Sequence, residues 1–159
     1  MGSDGALVEE RFKRGVRCFV VRIDGAIAGY GWLSVGPEWI GEIQLEIKPR
    51  EREGYIWNCF TLPGHRQKGI FRSLVTGISL EARRLGMRRI WIGSVAIPAE
   101  KAIAPIGFEP ALRFDSVTIG GLHVMRVTRG PDRALAADAT SAIGVRPGLV
   151  IRSSHPRRH

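Results

Sequence analysis

A helical stripe in the middle of the sequence decides much of the fold. From Gly69 onward, apolar residues fall at Phe71, Leu74, Val75, Ile78, Ala82 and Leu85, the spacing of one continuous helical face. Arg83 and Arg84 sit in the last turn, where the helix dipole favours cations, and Gly86 supplies the left-handed residue that closes it. A helix so one-sided must lie on an apolar partner. Tyr55–Leu62 before it reads as a strand stopped by Pro63-Gly64, and Ile90–Val95 after it reads as a buried strand. Strand, helix and strand in this order imply a crossover between parallel neighbours.

The flanks read as antiparallel. Arg17–Ile23 is a β-rich run, Asp24-Gly25 is a two-residue hairpin signal, and Ala26–Ser34 is the partner strand, with Gly29 and Gly31 marking a bulge or a close backbone approach. Residues 42–47 alternate, with Ile43, Leu45 and Ile47 on one side, before a charged turn over 49–54. Pro98 opens a short helix that ends before Gly107, and residues 111–119 and 122–127 form a last hairpin around Gly120-Gly121. The expected class is mixed α/β: a sheet mainly antiparallel, with one parallel β-α-β crossover and flanking helices. Residues 1–14 read as a flexible start and a helix remnant, 15–129 as one domain, and 130–159 as a basic, disordered tail.

Chemistry concentrates in Leu62-Pro63-Gly64-His65-Arg66-Gln67-Lys68-Gly69-Ile70-Phe71-Arg72. This segment joins a strand to a helix start, where backbone N–H groups and the helix dipole together attract phosphate oxygens. Gly69 admits an anion close to the backbone, and Arg66 and Lys68 add charge beside it.

With these residues in place the sequence resembles the GNAT superfamily of acyl-CoA-dependent N-acyltransferases. The family loop reads Arg/Gln-x-x-Gly-x-Gly/Ala; Arg66-Gln67-Lys68-Gly69-Ile70 matches it, and Phe71 departs at the last small position. Gly86, the strand from Ile90 and Gly107-Phe108 continue the likeness over roughly residues 15–128. The resemblance implies acetyl-CoA, or another acyl-CoA, as cosubstrate. It places the pyrophosphate on the amides of Gln67, Lys68, Gly69, Ile70 and Phe71, with Arg66 and Arg72 nearby. It assigns the pantetheine arm to the backbone of Phe60, Thr61 and Leu62. The implied reaction is direct attack of an amine, on a small molecule or a protein, upon the thioester.

Three departures from the family stand out. Trp57 and Asn58 stand where many members carry a carboxylate base; Ala96, Ala99 and Ile103 stand where an Asn, a small residue and a Tyr acid are common; and only one helical fragment precedes Arg17. The catalytic candidates are therefore Glu42, with Glu46 and Glu53 behind it, as base, and Asn58 as a group that orients water or substrate. His65 beside the loop, and Trp32, Trp39 and Trp57 as acceptor-cleft walls, complete the set. The alternative reading is a catalytically degenerate GNAT-like module that binds CoA or serves as an interaction domain.

The net charge of +9 raises a third class, nucleic-acid binding. Much of the excess lies in Arg146, Arg152, Arg157 and Arg158, with no acid after Asp138, and no reading helix or RNA motif accompanies it. Cys18 and Cys59 read as buried free thiols, and no spacing suits a metal. No signal-peptide layout opens the chain, and no apolar run approaches the ~18 residues of a membrane span. The expectation is a cytoplasmic protein with no membrane and no specific nucleic-acid partner, and with a sheet edge open to homodimer formation.

Overall fold

In the computed structural model, which describes residues 4–94 and 97–153, the β-rich runs pair as their patterns require. Arg17–Ile23 (β1) and Ala26–Ser34 (β2) are antiparallel, turned by Asp24 and Gly25 at φ of 50° and 80°. Glu53–Thr61 (β5) pairs antiparallel with β2 on one edge and parallel with Arg89–Ile92 (β6) on the other. Between β5 and β6 runs Ile70–Arg84 (α2), the expected crossover. The sheet order is β1-β2-β5-β6, a mixed sheet with its antiparallel majority and one parallel pair.

The chain forms two compact units rather than one domain and a tail: residues 1–38 with 49–108, and residues 39–48 with 109–159. In the first, Asp4–Lys13 (α1) precedes β1, and Ile97–Ile103 (α3) follows β6. Its core is Leu33, Ile56, Leu74, Val75, Ile78, Ala82 and Ile103. The α2 stripe is rotated slightly from the sequence reading. Ile70 is buried and Phe71 packs on the core from one side, whereas Leu85, already past the last helical turn, is exposed. The glycines at 29 and 31 mark close approach: a Cβ on Gly31 would stand 2.7 Å from Cys59 Sγ and 3.1 Å from Leu74 Cδ2. β6 stops at Ile92; Val95 and Ala96 lie outside the described residues.

In the second unit the strand expected over 42–47 is mostly turn. Gln44 adopts φ 51° and donates its amide to the Gly41 carbonyl at 3.3 Å, so only Leu45–Ile47 (β4) extends, beside Glu38–Ile40 (β3). Leu112–Ile119 (β7) and Leu122–Arg129 (β8) form the expected hairpin. The segment expected to be disordered contains helix Arg133–Ile143 (α4) and strand Gly148–Ser153 (β9). Asp132 caps α4 by accepting from the amides of Ala134 and Leu135 at 2.8 and 3.0 Å. Ala136, Ala139 and Ala142 line its buried face, and β9 pairs antiparallel with β8. Leu45, Met125, Val127 and Val145 form this unit's core. Met1–Ser3 and the tail beyond Ser153, with Arg157 and Arg158, lie outside the described residues. Among the described residues no helix is long and apolar enough to cross a membrane.

Candidate active site

The site begins where two parallel strands part. β5 and β6 stay in register from Glu53↔Arg89 to Ile56↔Ile92, and then β5 continues alone to Thr61. Asn58 lies in this freed stretch at φ 45°, beside the register shift between Tyr30 and Trp32 on β2. This is a β-bulge, which twists a strand away from its neighbour. Leu62 donates its amide to the Ala28 carbonyl at 2.9 Å, and its carbonyl accepts from the His65 amide at 2.9 Å. Backbone groups of successive strand residues face opposite edges, so the N–H and C=O of Thr61 face the edge that β6 has left. Of the expected trio, Thr61 thus presents a free N–H and a carbonyl that meets only the Arg66 side chain, whereas Phe60 and the Leu62 amide turn toward β2.

A 3-10 turn over Pro63–His65 follows, and then the chain twice enters left-handed space, at Gln67 (φ 60°) and Gly69 (φ 75°). Gly69 is the N-cap of α2 and gives it no side-chain cap; no acid stands in the first turn. Neither the helix nor any other described residue accepts from the amides of residues 67–72. Left-handed residues in a turn ahead of a helix can bring successive N–H groups into a concavity that suits an anion. The charged side chains brace the turn from outside. Arg66 donates to the Thr61 carbonyl at 3.4 Å and lies 5.9 Å from the Phe60 ring centroid. Lys68 donates to the Gly64 carbonyl at 3.0 Å, and Arg72 donates to the Ala102 carbonyl at 3.1 Å. Because Phe71 leans on the core, its ring leaves the amides uncovered. His65 is half-buried, with a buried Nδ1 that has no partner.

The remaining candidates scatter. Glu42 is exposed in the turn of the second unit, and Glu46, on β4 of that unit, pairs with Lys48 at 3.0 Å. Glu53, expected in a charged turn, is instead a buried carboxylate at the start of β5. It accepts from Trp91 Nε1 at 2.8 Å and from the Arg50 amide at 3.1 Å, with Arg89 at 3.4 Å, an anchor at the end of β5 away from the loop. Trp39 belongs to the second unit. Ile103 fills the core, Ala99 lies on α3, and Ala96 falls outside the described residues. Cys18 and Cys59 are free and half-buried. Burial pushes the Cys59 thiol up to about 11. It also raises that of Cys18, against the opposing charge of Arg11.

Sequence reasoning named Trp32 and Trp57 as cleft walls but missed Arg11, which joins them on the sheet face opposite α2. There the Arg11 guanidinium stacks on Trp32 and Trp57, 4.9 and 4.5 Å from the ring centroids. The two indoles are cross-strand partners 6.3 Å apart. Their partnership follows from the bulge, which Gly31 marked on β2 and which puts Asn58 opposite it in left-handed space.

Residues 3–104 match the Acetyltransferase (GNAT) family, well over half of the chain. The chain belongs to the GNAT acetyltransferase family. No curated protein matches the sequence. Among solved structures, the GNAT fold recurs in the aminoglycoside acetyltransferase AAC(6')-Iy bound to a bisubstrate analogue containing CoA. That structure has 19% identity and a TM-score of 0.55 over 74% of this chain and 80% of that one. An acetyltransferase of Trypanosoma brucei gives 17% and 0.53, over 72% and 77%. A ribosomal-protein-alanine N-acetyltransferase of Brucella melitensis gives 18% and 0.52, over 75% and 81%. GNAT acetyltransferases use acetyl-CoA, and the loop suits it. The run of unpaired amides over residues 67–72 fits a diphosphate, and the open Thr61 edge fits an amide-bearing arm.

Proposed function

We propose that this GNAT enzyme transfers an acetyl group from acetyl-CoA to a primary amine by direct attack, with residues 57–72 as its working surface. The observation that carries the reading is the uncapped start of α2. Its free amides, arranged by left-handed Gln67 and Gly69, offer a diphosphate several charge-assisted hydrogen bonds of about 1.5–3 kcal/mol each. Acetyl-CoA, when bound, supplies the thioester that the amine attacks. Thr61 meets the pantetheine arm through its freed N–H, and its carbonyl accepts from the arm once Arg66 turns from it to the diphosphate; the same β5 edge offers an N–H to the acyl oxygen. Arg66 and Lys68 add positive potential around the loop.

The stretch 57–61 carries no carboxylate and no imidazole. Asn58, exposed at the bulge, orients a water that takes the amine proton, so positioning supplies much of the rate.

The test is release of free thiol from acetyl-CoA in the presence of a broad amine panel, with calorimetry of CoA binding alongside. Thiol release with one amine class establishes the activity. Binding of CoA without release from any amine instead favours the degenerate module, and absence of both removes the reading.

A further inference from the structure

The Arg11 cluster stands where an acceptor amine must approach. Trp57 is the first residue of β5 beyond its last β6 partner, Ile56. Leu33 and Ile56 pack toward α2, so strand alternation puts their neighbours Trp32 and Trp57 on the other face, under the last turn of α1. Phe12 joins them, its ring 5.4 Å from Trp32.

The cluster consists of donors without acceptors. Stacking engages the flat face of a guanidinium and leaves its in-plane N–H fork free. Two acids of this region are paired with other cations, Glu9 with Lys13 at 2.8 Å and Glu38 with Arg14 at 3.4 Å. Among the described residues Arg11 has no ion pair. Trp32 is 3% exposed, and the indole nitrogens of both Trp32 and Trp57 are buried without a hydrogen-bond partner. Buried donors are rarely left unmatched. A guanidinium and two unpartnered indole donors gathered in one cluster call for an anion, and the guanidinium fork suits one with planar, two-pronged geometry.

We infer that Arg11, with the indole N–H groups of Trp32 and Trp57, forms a subsite for the carboxylate of the acceptor, so that the substrates are amines bearing a carboxylate, amino acids in the broad sense. The inference rests on the proposed acetyl transfer and deepens it. The two indole faces hold the guanidinium in place before the substrate arrives, and the carboxylate docks on its edge with the amine directed toward the split between β5 and β6. A cationic acceptor is disfavoured, because the aromatic faces that would receive it are already occupied by Arg11.

The test compares L-amino acids with their primary amides as acceptors, in the wild type and in Arg11→Gln, after CoA affinity and melting temperature confirm that the variant is folded. The acid is expected to exceed its amide in kcat/KM by about ten-fold or more in the wild type, and Arg11→Gln should bring the ratio near one. Equal kcat/KM for acid and amide in the wild type, or a ratio unchanged in the variant, overturns the inference while leaving acetyl transfer intact. If no amine is acetylated, binding decides instead. Titrating the CoA complex with N-acetyl amino acids should quench tryptophan fluorescence saturably in the wild type and much less in Arg11→Gln and Trp57→Phe. No quenching overturns the subsite, and quenching equal to that by the matching N-acetyl amino acid amide does the same.

Discussion

Replacing Gly69 with alanine separates the shape of the phosphate loop from its contacts. Gly69 sits at φ 75°, ψ 3° as the N-cap of α2, and a Cβ built there meets no atom within 4 Å. The substitution therefore collides with nothing and costs only left-handed strain, about 1–2 kcal/mol for an L-residue. That strain has two places to appear. If the loop keeps its shape without ligand, the folded state carries the cost, and the melting temperature falls by about 2–4 °C per kcal/mol for a chain of this size. If the loop relaxes, stability is spared, but CoA must rebuild the turn, and its Kd rises by roughly 5- to 30-fold. The two effects together should sum to the strain. Thermal unfolding by circular dichroism and calorimetric titration with CoA measure both on one preparation, and Gly69→Asn, which tolerates this region better, should show less of each. Unchanged melting together with unchanged affinity would refute the assignment of a strained, preformed anion loop. A weakening of CoA beyond about 2 kcal/mol would mean that the methyl group itself obstructs the diphosphate.

Three further outcomes follow from the first unit. Glu53→Ala strands the Trp91 indole in a buried setting and should cost about 1–3 kcal/mol in urea unfolding, with kcat intact because Glu53 stands away from the loop. Gly31→Ala forces a Cβ to 2.7 Å from Cys59 Sγ and should destabilise by about 1–3 kcal/mol; adding Cys59→Ala should recover part of that in a double-mutant cycle. The Cys59 thiol, pushed up to about 11 by burial, should react slowly with Ellman's reagent at pH 8 until the protein is denatured. Its linkage runs downward with pH. Above an unfolded value near 9.0 the unfolded thiol ionises while the folded one stays protonated, so stability should fall by about 2–3 kcal/mol between pH 9 and 11. Cys59→Ser should flatten that limb.

What was legible in the sequence was whatever a local pattern encodes. The α2 stripe, the Asp24-Gly25 turn and the Arg66–Gly69 loop each state their structure within a few residues, and from them the crossover followed. The bulge was half legible: Gly31 marked its place on β2, but the left-handed turn of Asn58 on the facing strand has no local signal, and the pairing of Trp32 with Trp57 is its consequence. Alternation over 42–47 promised a strand, but Gln44 turned left-handed and cut it short. Residues 130–159 read as a tail because an alanine face carries little hydrophobic signal. Yet Ala136, Ala139 and Ala142 are spaced to face one way, Asp132 is of the type that caps a helix start, and Leu149-Val150-Ile151 is an apolar run within β9; none of the three stands out in a stretch rich in Ala, Asp, Gly, Pro and Arg.

The second unit is assembled from two separated stretches, 39–48 and the residues from 109 onward, and this bears on how the polypeptide emerges from the ribosome. Leu45 is completed early, but its packing partners Met125, Val127 and Val145, and the Ala142 carbonyl that receives the Lys48 amide at 2.7 Å, are translated only near the end. The 39–48 excursion must wait, with its apolar side chains uncovered, while β5, α2 and β6 form. A fragment released at residue 104, the border of the family match, would keep that excursion and never cover it. Such a fragment should bind a chaperone or precipitate where the full polypeptide stays dispersed.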